Sequence, residues 1–303
     1  MTVQNFKTHL KLMGSLQAKH SLKRDTKGRG AIRRSVSSDS IPVVLIHGFR
    51  GTKQGLALIN KELLQNNPSY ALYTPDLPGF GKGKTLHHYT LAAYITWLRT
   101  YIRTVQRRHP NTPITLVGHS FGSIICAAYA RQYTDTIKSL ILINPIGAPA
   151  LEGPKKILTK LAILYYKIGA TLPEKSAHRW LASPLIVRIM SSTMAKTKDK
   201  KLLAFIHAQH ATYFSKFHSP VSVLEAFETS VSHNVGDFAK SIPVKTLLIA
   251  GALDDITPLS AQYALVKKFP KAKLKVIDSV GHLTHYETPK EVARYIQAFI
   301  KSV

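Results

Sequence analysis

Short apolar runs alternate with amphipathic stretches along most of the chain. The runs IPVVLI, starting at Ile41, and ITLV, starting at Ile114, contain no charged residue and are typical of strands buried on both faces. After Thr90, a predicted helix cap, apolar residues recur every three or four positions as far as Val105. Strands that alternate with helices predict an α/β fold with a mostly parallel sheet and helices on both of its faces.

The pattern predicts six strands in this sheet. They lie near residues 41–46, 70–74, 114–117, 140–143, 244–250 and 274–277. At the end of the chain Pro289 starts a last helix, for which Thr288 and Glu291 predict a capping box. The chain is therefore expected to end in a docked helix.

The alternation stops between the fourth and fifth predicted strands. Residues 155–236 contain helical patterns but no strand pattern. We therefore predict a core of residues 41–147 and 237–303, interrupted by an all-helical cap insertion over residues 148–236. Its first helix carries one apolar stripe of Ile157, Leu161, Leu164 and Ile168. Packing of this stripe on the core is the expected arrangement, and contact with lipid is the alternative.

The pentapeptide GHSFG, residues 118–122, joins a predicted strand to a predicted helix. Such a turn strains the backbone of the serine and brings strand and helix so close that only glycine fits on either side. The hydroxyl of Ser120 is expected to stand clear of the sheet, beside a helix N-terminus that stabilises negative charge. The pentapeptide and its flanks predict a nucleophile elbow.

Two further polar motifs follow later strands. GALDDITP comes after the predicted strand that ends at Ala250, and GHLTHYETP follows the one that ends at Ile277. In a parallel sheet both loops leave the same carboxyl edge as the elbow, where the active site of an α/β protein is assembled. This edge is therefore the expected location of the chemistry.

The motifs HGF, PDLPGFG, GHSFG, GxxDxxxP and GHxxxxExP occur in this order between about residue 41 and the C-terminus. In this combination the chain resembles the α/β-hydrolase fold family, of the single-domain kind with a helical cap. The resemblance implies a catalytic triad of Ser120, Asp254 and His282, in the family's order of serine, acid and histidine. Asp255 is the alternative acid, and His285 is expected to be a lining or packing residue.

The triad residues have complementary roles. A serine hydroxyl is a weak nucleophile at neutral pH, so the histidine must take its proton and the carboxylate must orient the ring. The expected oxyanion donors are the backbone N–H groups of Phe49 and Phe121. These roles predict a serine hydrolase that cleaves a small-molecule carboxylic ester, thioester or related acyl compound through an acyl-enzyme. The alternative is an acyltransferase or a non-catalytic protein of this fold on an anionic surface.

The charge of the chain suggests a partner besides the substrate. The 303 residues carry a formal net charge of +26, and residues 1–40 form a basic segment in which only Asp25 and Asp39 are acidic. This charge favours contact with an anionic surface such as phospholipid or nucleic acid; peripheral contact with an anionic membrane is the expected form, and nucleic acid is the disfavoured one.

The same segment bears on localisation. An outer hairpin with a solvated, partly disordered tail is favoured for residues 1–40, over a membrane-surface anchor or an organelle transit segment. No apolar run approaches the ~18 residues of a spanning helix. The expected location is cytoplasmic or peripheral at a membrane, with organelle targeting left open.

No cofactor or metal is expected. The GFGKGKT stretch of residues 79–85 approaches a phosphate-binding loop, but Pro78 stands where a glycine is needed. His207 and His210 lie three apart on a predicted helix, without the neighbouring carboxylates or cysteines of a metal site. Cys126, the only cysteine, is expected to be a small buried apolar residue.

Overall fold

The computed structural model describes residues 40–149 and 156–303, without the side chains of residues 156–159. The basic segment predicted for residues 1–40 lies, apart from Ser40, outside the described residues. Within these residues the strands form one six-stranded sheet in the order β2-β1-β3-β4-β5-β6, and every neighbouring pair is parallel. The strands are β1 (Ile41–Ile46), β2 (Tyr70–Tyr73), β3 (Ile114–His119), β4 (Ile137–Ile143), β5 (Lys245–Gly251) and β6 (Ala272–Ile277). The predicted α/β fold class is confirmed.

Helices cover both faces of the sheet because alternate strand residues point to opposite sides. Val44, Leu116 and Leu142 belong to one apolar cluster, whereas Val43 and Val117 belong to the other. The helices of the core are α1 (Ala57–Asn66), α2 (Leu91–Gln106), α3 (Phe121–Gln132), α9 (Leu259–Val266), α10 (Thr284–Glu287) and α11 (Pro289–Lys301). Helices α2 and α3 contribute to the first cluster, and α1 and α11 to the second.

The two predicted helix caps behave differently. The Thr90 hydroxyl accepts a hydrogen bond from the N–H of Ala93 at 3.3 Å, so the cap predicted for α2 is confirmed. The capping box predicted with Thr288 and Glu291 is wrong, because the Thr288 hydroxyl donates to the carbonyl of Thr284 instead. Helix α10 is a single turn that ends immediately before this threonine, and its first residue supplies the competing acceptor.

Between β4 and β5 the described residues form five α-helices. They are α4 (Lys156–Thr171), α5 (Glu174–Leu181), α6 (Pro184–Met194), α7 (Lys200–Tyr213) and α8 (Pro220–Ser232). The packing expected for the apolar stripe of α4 is wrong for its described members, since Leu161, Leu164 and Ile168 are all exposed. The large buried side chain of α4 is instead that of Tyr166, at 2% exposure. Among the described residues no helix is both long and apolar enough to span a membrane.

Candidate active site

Ser120 lies on the sharp turn between β3 and α3. Its backbone has φ 50° and ψ −118°, a strained conformation for a residue other than glycine. A Cβ atom on Gly118 would lie 2.5 Å from the carbonyl oxygen of Gly122, and one on Gly122 would lie 2.5 Å from that of Ile46. Both positions therefore require glycine, and the strand and helix approach closely enough to hold the serine in place.

A continuous hydrogen-bonded chain joins the three residues of the predicted triad. The Oγ atom of Ser120 lies 2.8 Å from Nε2 of His282, and Nδ1 of His282 lies 2.8 Å from Oδ2 of Asp254. A carboxylate only accepts hydrogen bonds, so Nδ1 carries the hydrogen and Nε2 is the acceptor that faces the serine. The sheet brings these residues together because β3, β5 and β6 end at the same edge.

The Asp254 carboxylate is held by hydrogen bonds on both oxygens. Oδ1 accepts from the backbone N–H groups of Ile256 and Thr257, at 2.8 and 2.9 Å. Besides His282, Oδ2 accepts from the Thr257 hydroxyl and from the Asn144 amide. Burial by itself raises the pKa of Asp254, but the His282 ring and the hydroxyl and N–H of Thr257 outweigh it and lower the pKa below its usual value. The group is therefore an anion beside the imidazole.

Asp255, the alternative acid, lies outside this chain of hydrogen bonds. Its side chain is 64% exposed and bonds to Lys196 rather than to His282. An exposed carboxylate of this kind orients no buried imidazole. The geometry thus favours Asp254 as the acid.

The segment after β1 forms the turn that was expected to supply an oxyanion donor. The N–H of Gly51 donates to the carbonyl of Gly48 at 3.1 Å, which closes a turn around Phe49. His47 fixes the start of this turn: its Nε2 accepts from the N–H of Leu77, so its Nδ1–H donates to the carbonyl of Gly48 at 2.9 Å.

The two expected donors come from different elements. Phe121 is the first residue of α3, a position whose N–H has no acceptor within the helix. Within residues 40–149 and 156–303, neither this N–H nor that of Phe49 donates a hydrogen bond to another part of the protein. Neither N–H group is therefore engaged by another group of the described residues.

His119 lies beside the ring of His282, and His285 lies beside His119. The ring of His119 lies 5.4 Å from that of His282 and 4.2 Å from that of His285, centroid to centroid. Burial, followed by the neighbouring His282, lowers the pKa of His119 to about 3. Burial and His119 likewise lower the pKa of His285 well below its usual value. Both rings are neutral near neutral pH, and His285 packs as expected.

Asn144 is a site residue that the sequence analysis missed. Its Nδ2 donates to Oδ2 of Asp254 at 2.7 Å and to the carbonyl of Gly281 at 3.3 Å, while its Oδ1 accepts from the Thr284 hydroxyl. With φ 45° it adopts a left-handed conformation directly after β4, which asparagine tolerates better than most residues. The only feature of the sequence that could have indicated this role is a lone asparagine directly after a predicted strand.

The other candidate residues from the sequence have structural surroundings. The Oγ of Ser191 lies between the Nδ1 atoms of His207 and His210, at 2.7 and 2.8 Å. Among the described residues no group of three or more His, Cys, Asp or Glu side chains could hold a metal ion. Cys126 is fully buried, and burial raises the pKa of its thiol well above the usual value.

A parallel sheet that carries a serine on a strained strand-to-helix turn, with an acid and a histidine following later strands, is the arrangement of an α/β hydrolase. A family model described as serine aminopeptidase, S33, matches residues 40–289. The chain belongs to this family, and the predicted α/β-hydrolase fold is confirmed.

Relatives that are named as lipases agree with this assignment. Lipase 1 of Psychrobacter immobilis is 27% identical over 267 residues, which cover 85% of this chain and 76% of that protein. The monoacylglycerol lipase ABHD6 of Mus musculus is 22% identical over 272 residues, covering 86% and 76%. The chain is an α/β-fold hydrolase related to lipases and esterases.

Solved structures show the same fold. A thermophilic esterase from Thermogutta terrifontis superposes with a TM-score of 0.67 at 21% identity, covering 87% of this chain and 90% of that one. The esterase EaEST from Exiguobacterium antarcticum gives a TM-score of 0.70 at 17% identity, covering 87% and 92%. At these identities the likeness concerns the fold.

Proposed function

We propose that this protein hydrolyses carboxylic esters, thioesters or related acyl compounds through an acyl-enzyme on Ser120. The observation that carries this proposal is the chain of two 2.8 Å hydrogen bonds from Ser120 through His282 to Asp254. A buried anion that orients an imidazole towards a strained serine is what nucleophilic acyl transfer requires.

In the first half-reaction the Oγ of Ser120 attacks the substrate carbonyl carbon while Nε2 of His282 takes the hydroxyl proton. The carbonyl oxygen becomes an oxyanion, for which the N–H groups of Phe49 and Phe121 are the donors. The C–O or C–S bond of the substrate then breaks, and the leaving alcohol or thiol receives the proton from the His282 imidazolium. Asp254 stays ionised and stabilises the imidazolium.

In the second half-reaction water replaces the leaving group. Nε2 of His282 takes one proton of the water as its oxygen attacks the acyl carbon, and the same donors hold the second oxyanion. The ester bond to Ser120 breaks, the proton returns to Oγ, and the free carboxylic acid leaves. Every proton passes through one imidazole nitrogen, so no metal or cofactor is needed for this sequence.

The cap proposed for residues 148–236 gives the site an apolar character. The ring of Phe49 contacts the rings of Tyr166 and Phe227, at centroid distances of 5.7 and 5.4 Å. Since the N–H of Phe49 is the proposed oxyanion donor, these rings lie close to the reacting carbonyl. They favour an apolar acyl group, in agreement with the lipases and esterases among the relatives.

We further propose that the outer face of this cap contacts an anionic lipid surface. Helices α4 to α6 expose Leu161, Leu164, Ile168, Trp180, Leu185 and Ile189. The basic residues of the same helices include Lys160, Lys167, Lys175, Arg179 and Arg188. Exposed apolar side chains among cations are typical of helices that lie at a membrane interface.

Flotation with vesicles tests the membrane contact. The protein is expected to float with phosphatidylglycerol vesicles and to float less with phosphatidylcholine vesicles or at high salt, because cations supply part of the binding. The double variant Leu161→Gln, Leu164→Gln is expected to float less than Leu64→Gln, which alters an exposed leucine of α1. Equal flotation of the two variants would contradict this contact.

The catalytic proposal is tested with p-nitrophenyl esters of increasing acyl length. Wild-type protein is expected to release p-nitrophenol with an initial burst where deacylation is slow, and Ser120→Ala is expected to be inactive. An amino-acid p-nitroanilide, run beside the esters, tests the peptidase activity in the family's description. Turnover of the anilide alone, or equal ester turnover by Ser120→Ala, would refute the proposal.

A further inference from the structure

Arg50 is fully buried in the described part of the protein, although arginine is rarely buried without a charged partner. Within residues 40–149 and 156–303 no carboxylate forms an ion pair with it. Its guanidinium lies instead against the faces of two aromatic rings, 4.9 Å from the centroid of Phe214 and 5.6 Å from that of Phe217. The burial of this charge therefore depends on neutral partners.

Those partners are oxygens of the helical insertion. Nη2 of Arg50 donates to the carbonyl of Leu181 at 2.7 Å, and Nε donates to the carbonyl of Phe214 at 3.0 Å. Nη1 donates to the hydroxyl of Tyr166 at 3.4 Å. One side chain of the core thus bonds to α4, to the end of α5 and to the end of α7.

The two carbonyls are suited to a cation. Leu181 is the last residue of α5, and Phe214 follows the last residue of α7. Carbonyls at helix C-termini lack partners within the helix and carry the negative end of its dipole. They replace the missing carboxylate, and they do so only while both helices stay in this position.

The backbone of Arg50 belongs to the turn that presents Phe49. Arg50 has φ 56°, a left-handed conformation at the third position of the turn closed by Gly48 and Gly51. Glycine is the usual residue there, and another residue persists only where its surroundings hold it. The bonds of the guanidinium supply that restraint.

We infer that Arg50 is a positioning residue that couples the docking of helices α5 and α7 to the geometry of the oxyanion turn. The inference rests on the proposed function, because it assigns the N–H of Phe49 to the oxyanion. When the helices leave, the guanidinium loses its acceptors, the restraint on the turn is released, and Phe49 no longer holds its N–H in place. Acyl transfer is thereby limited to the state in which the insertion is docked.

The kinetic test compares Arg50→Ala and Arg50→Lys with wild type on a p-nitrophenyl ester. Loss of one aligned oxyanion donor lowers kcat by ~10²–10³-fold, so Arg50→Ala is expected to lose about 10²-fold in kcat with little change in KM. Arg50→Lys keeps the charge but lacks the planar fork that reaches two carbonyls at once, and is expected to recover only part of the loss. Arg50→Lys also provides the test if Arg50→Ala does not fold.

Chemical rescue separates positioning from general destabilisation. Guanidinium ion, added to Arg50→Ala far below denaturing concentrations, is expected to raise its kcat at least tenfold. Urea, which is planar but uncharged, is not expected to raise it. Arg99→Ala is the matched control, since Arg99 also contacts a tyrosine hydroxyl and ring, those of Tyr133, away from the site. Its kcat is expected to stay near that of wild type, without any response to guanidinium.

Coupling must also act in the reverse direction. A phosphonate adduct on Ser120 places an oxygen at the oxyanion position, and is expected to slow amide hydrogen exchange in Glu174–Leu181 and Lys200–Tyr213 of the wild-type protein. In Arg50→Lys the same adduct is expected to slow exchange in these helices less than in the wild-type protein. Equal protection in both proteins would overturn the inference.

The outcomes distinguish this inference from the proposed function. If wild-type protein neither turns over esters nor reacts at Ser120, the proposed function fails, whatever Arg50 does. If wild type is active and Arg50→Ala or Arg50→Lys retains full kcat, the inference fails while the proposed function stands. A loss of kcat that follows the folded fraction and does not respond to guanidinium overturns it as well.

Discussion

Asparagine at position 254 tests how the acid acts on the histidine. The Asp254→Asn side chain keeps its shape but presents an NH2 group, which cannot accept a hydrogen bond, at one oxygen position. At Oδ1 the NH2 would face the backbone N–H groups of Ile256 and Thr257, which cannot reorient. At Oδ2 it would face the ring of His282 and the Thr257 hydroxyl, which can rearrange their hydrogens, and the Asn144 amide, which can turn over to present its Oδ1. The NH2 group is therefore expected to point towards His282.

This orientation reverses the tautomer of His282. Nδ1 must then accept from the NH2 group, and the hydrogen moves to Nε2, which lies 2.8 Å from the Oγ of Ser120. A protonated Nε2 cannot take the serine proton. We expect kcat for ester hydrolysis to fall by ~10³–10⁴-fold, which at ~1.36 kcal/mol per factor of ten is about 4–5.5 kcal/mol of transition-state stabilisation.

Asp255→Asn is the matched control, because it makes the same chemical change one residue away. Its exposed carboxylate bonds to Lys196, so its loss is expected to change kcat less than twofold, within the small contribution of a surface ion pair. The assay is steady-state hydrolysis of a p-nitrophenyl ester by both variants, with folding checked by circular dichroism. A larger loss in Asp255→Asn than in Asp254→Asn would refute the assignment of the acid.

Three other perturbations have defined outcomes. Asn144→Ala leaves three buried polar partners short of a hydrogen bond. The free energy of unfolding in urea should fall by at least ~1–3 kcal/mol, the cost of one unsatisfied group, and kcat should also be lower. Unchanged values in both assays would contradict the role of Asn144. His119 and His285 are neutral in the folded protein, so their contribution to stability is present above about pH 6.5 and is lost as the pH falls from there towards the folded-state pKa of His119, about 3. In this range the free energy of unfolding, measured in urea, should fall by up to ~1.4 kcal/mol per pH unit for each ring, and by less in His285→Phe. A free energy of unfolding that does not depend on pH would contradict the assignment. Cys126 should not react with iodoacetamide in the folded protein but should react in urea, and rapid alkylation of folded protein would contradict its burial.

The strands and the strand-end motifs could be predicted from sequence because their signals are local. The motif GHSFG follows an apolar run and places Ser120 between two glycines. No other residue can replace these glycines, because a Cβ atom on Gly118 or Gly122 would clash with a neighbouring carbonyl. The parallel topology then brings Asp254 and His282 to the same edge as Ser120 without any knowledge of side-chain packing.

Arg50 and Asn144 escaped prediction because their partners are distant in the chain. In a chain with a net charge of +26, one more arginine in a loop looks like a solvated residue. Its burial depends on Leu181 and Phe214, more than 130 residues away, and no periodicity reports such a contact. Asn144 likewise bonds to Asp254, 110 residues further on.

The stripe of α4 was misjudged for a different reason. Periodicity identifies an apolar face, but it does not say what covers that face. Leu161 and Leu164 are exposed, and the large buried side chain is that of Tyr166, whose hydroxyl contacts Arg50 and whose ring lies against Phe49. The orientation of α4 about its axis follows the aromatic contact of Tyr166 with Phe49.

Reaction of the purified protein with a fluorophosphonate probe, followed by mass spectrometry of its peptides, is the most direct test of the central claim that Ser120 is an activated nucleophile. The geometry of Ser120 and His282 predicts one adduct, on the peptide that contains Ser120, and none in Ser120→Ala. A folded wild-type protein that does not react, or that reacts at another residue, would contradict this role of Ser120.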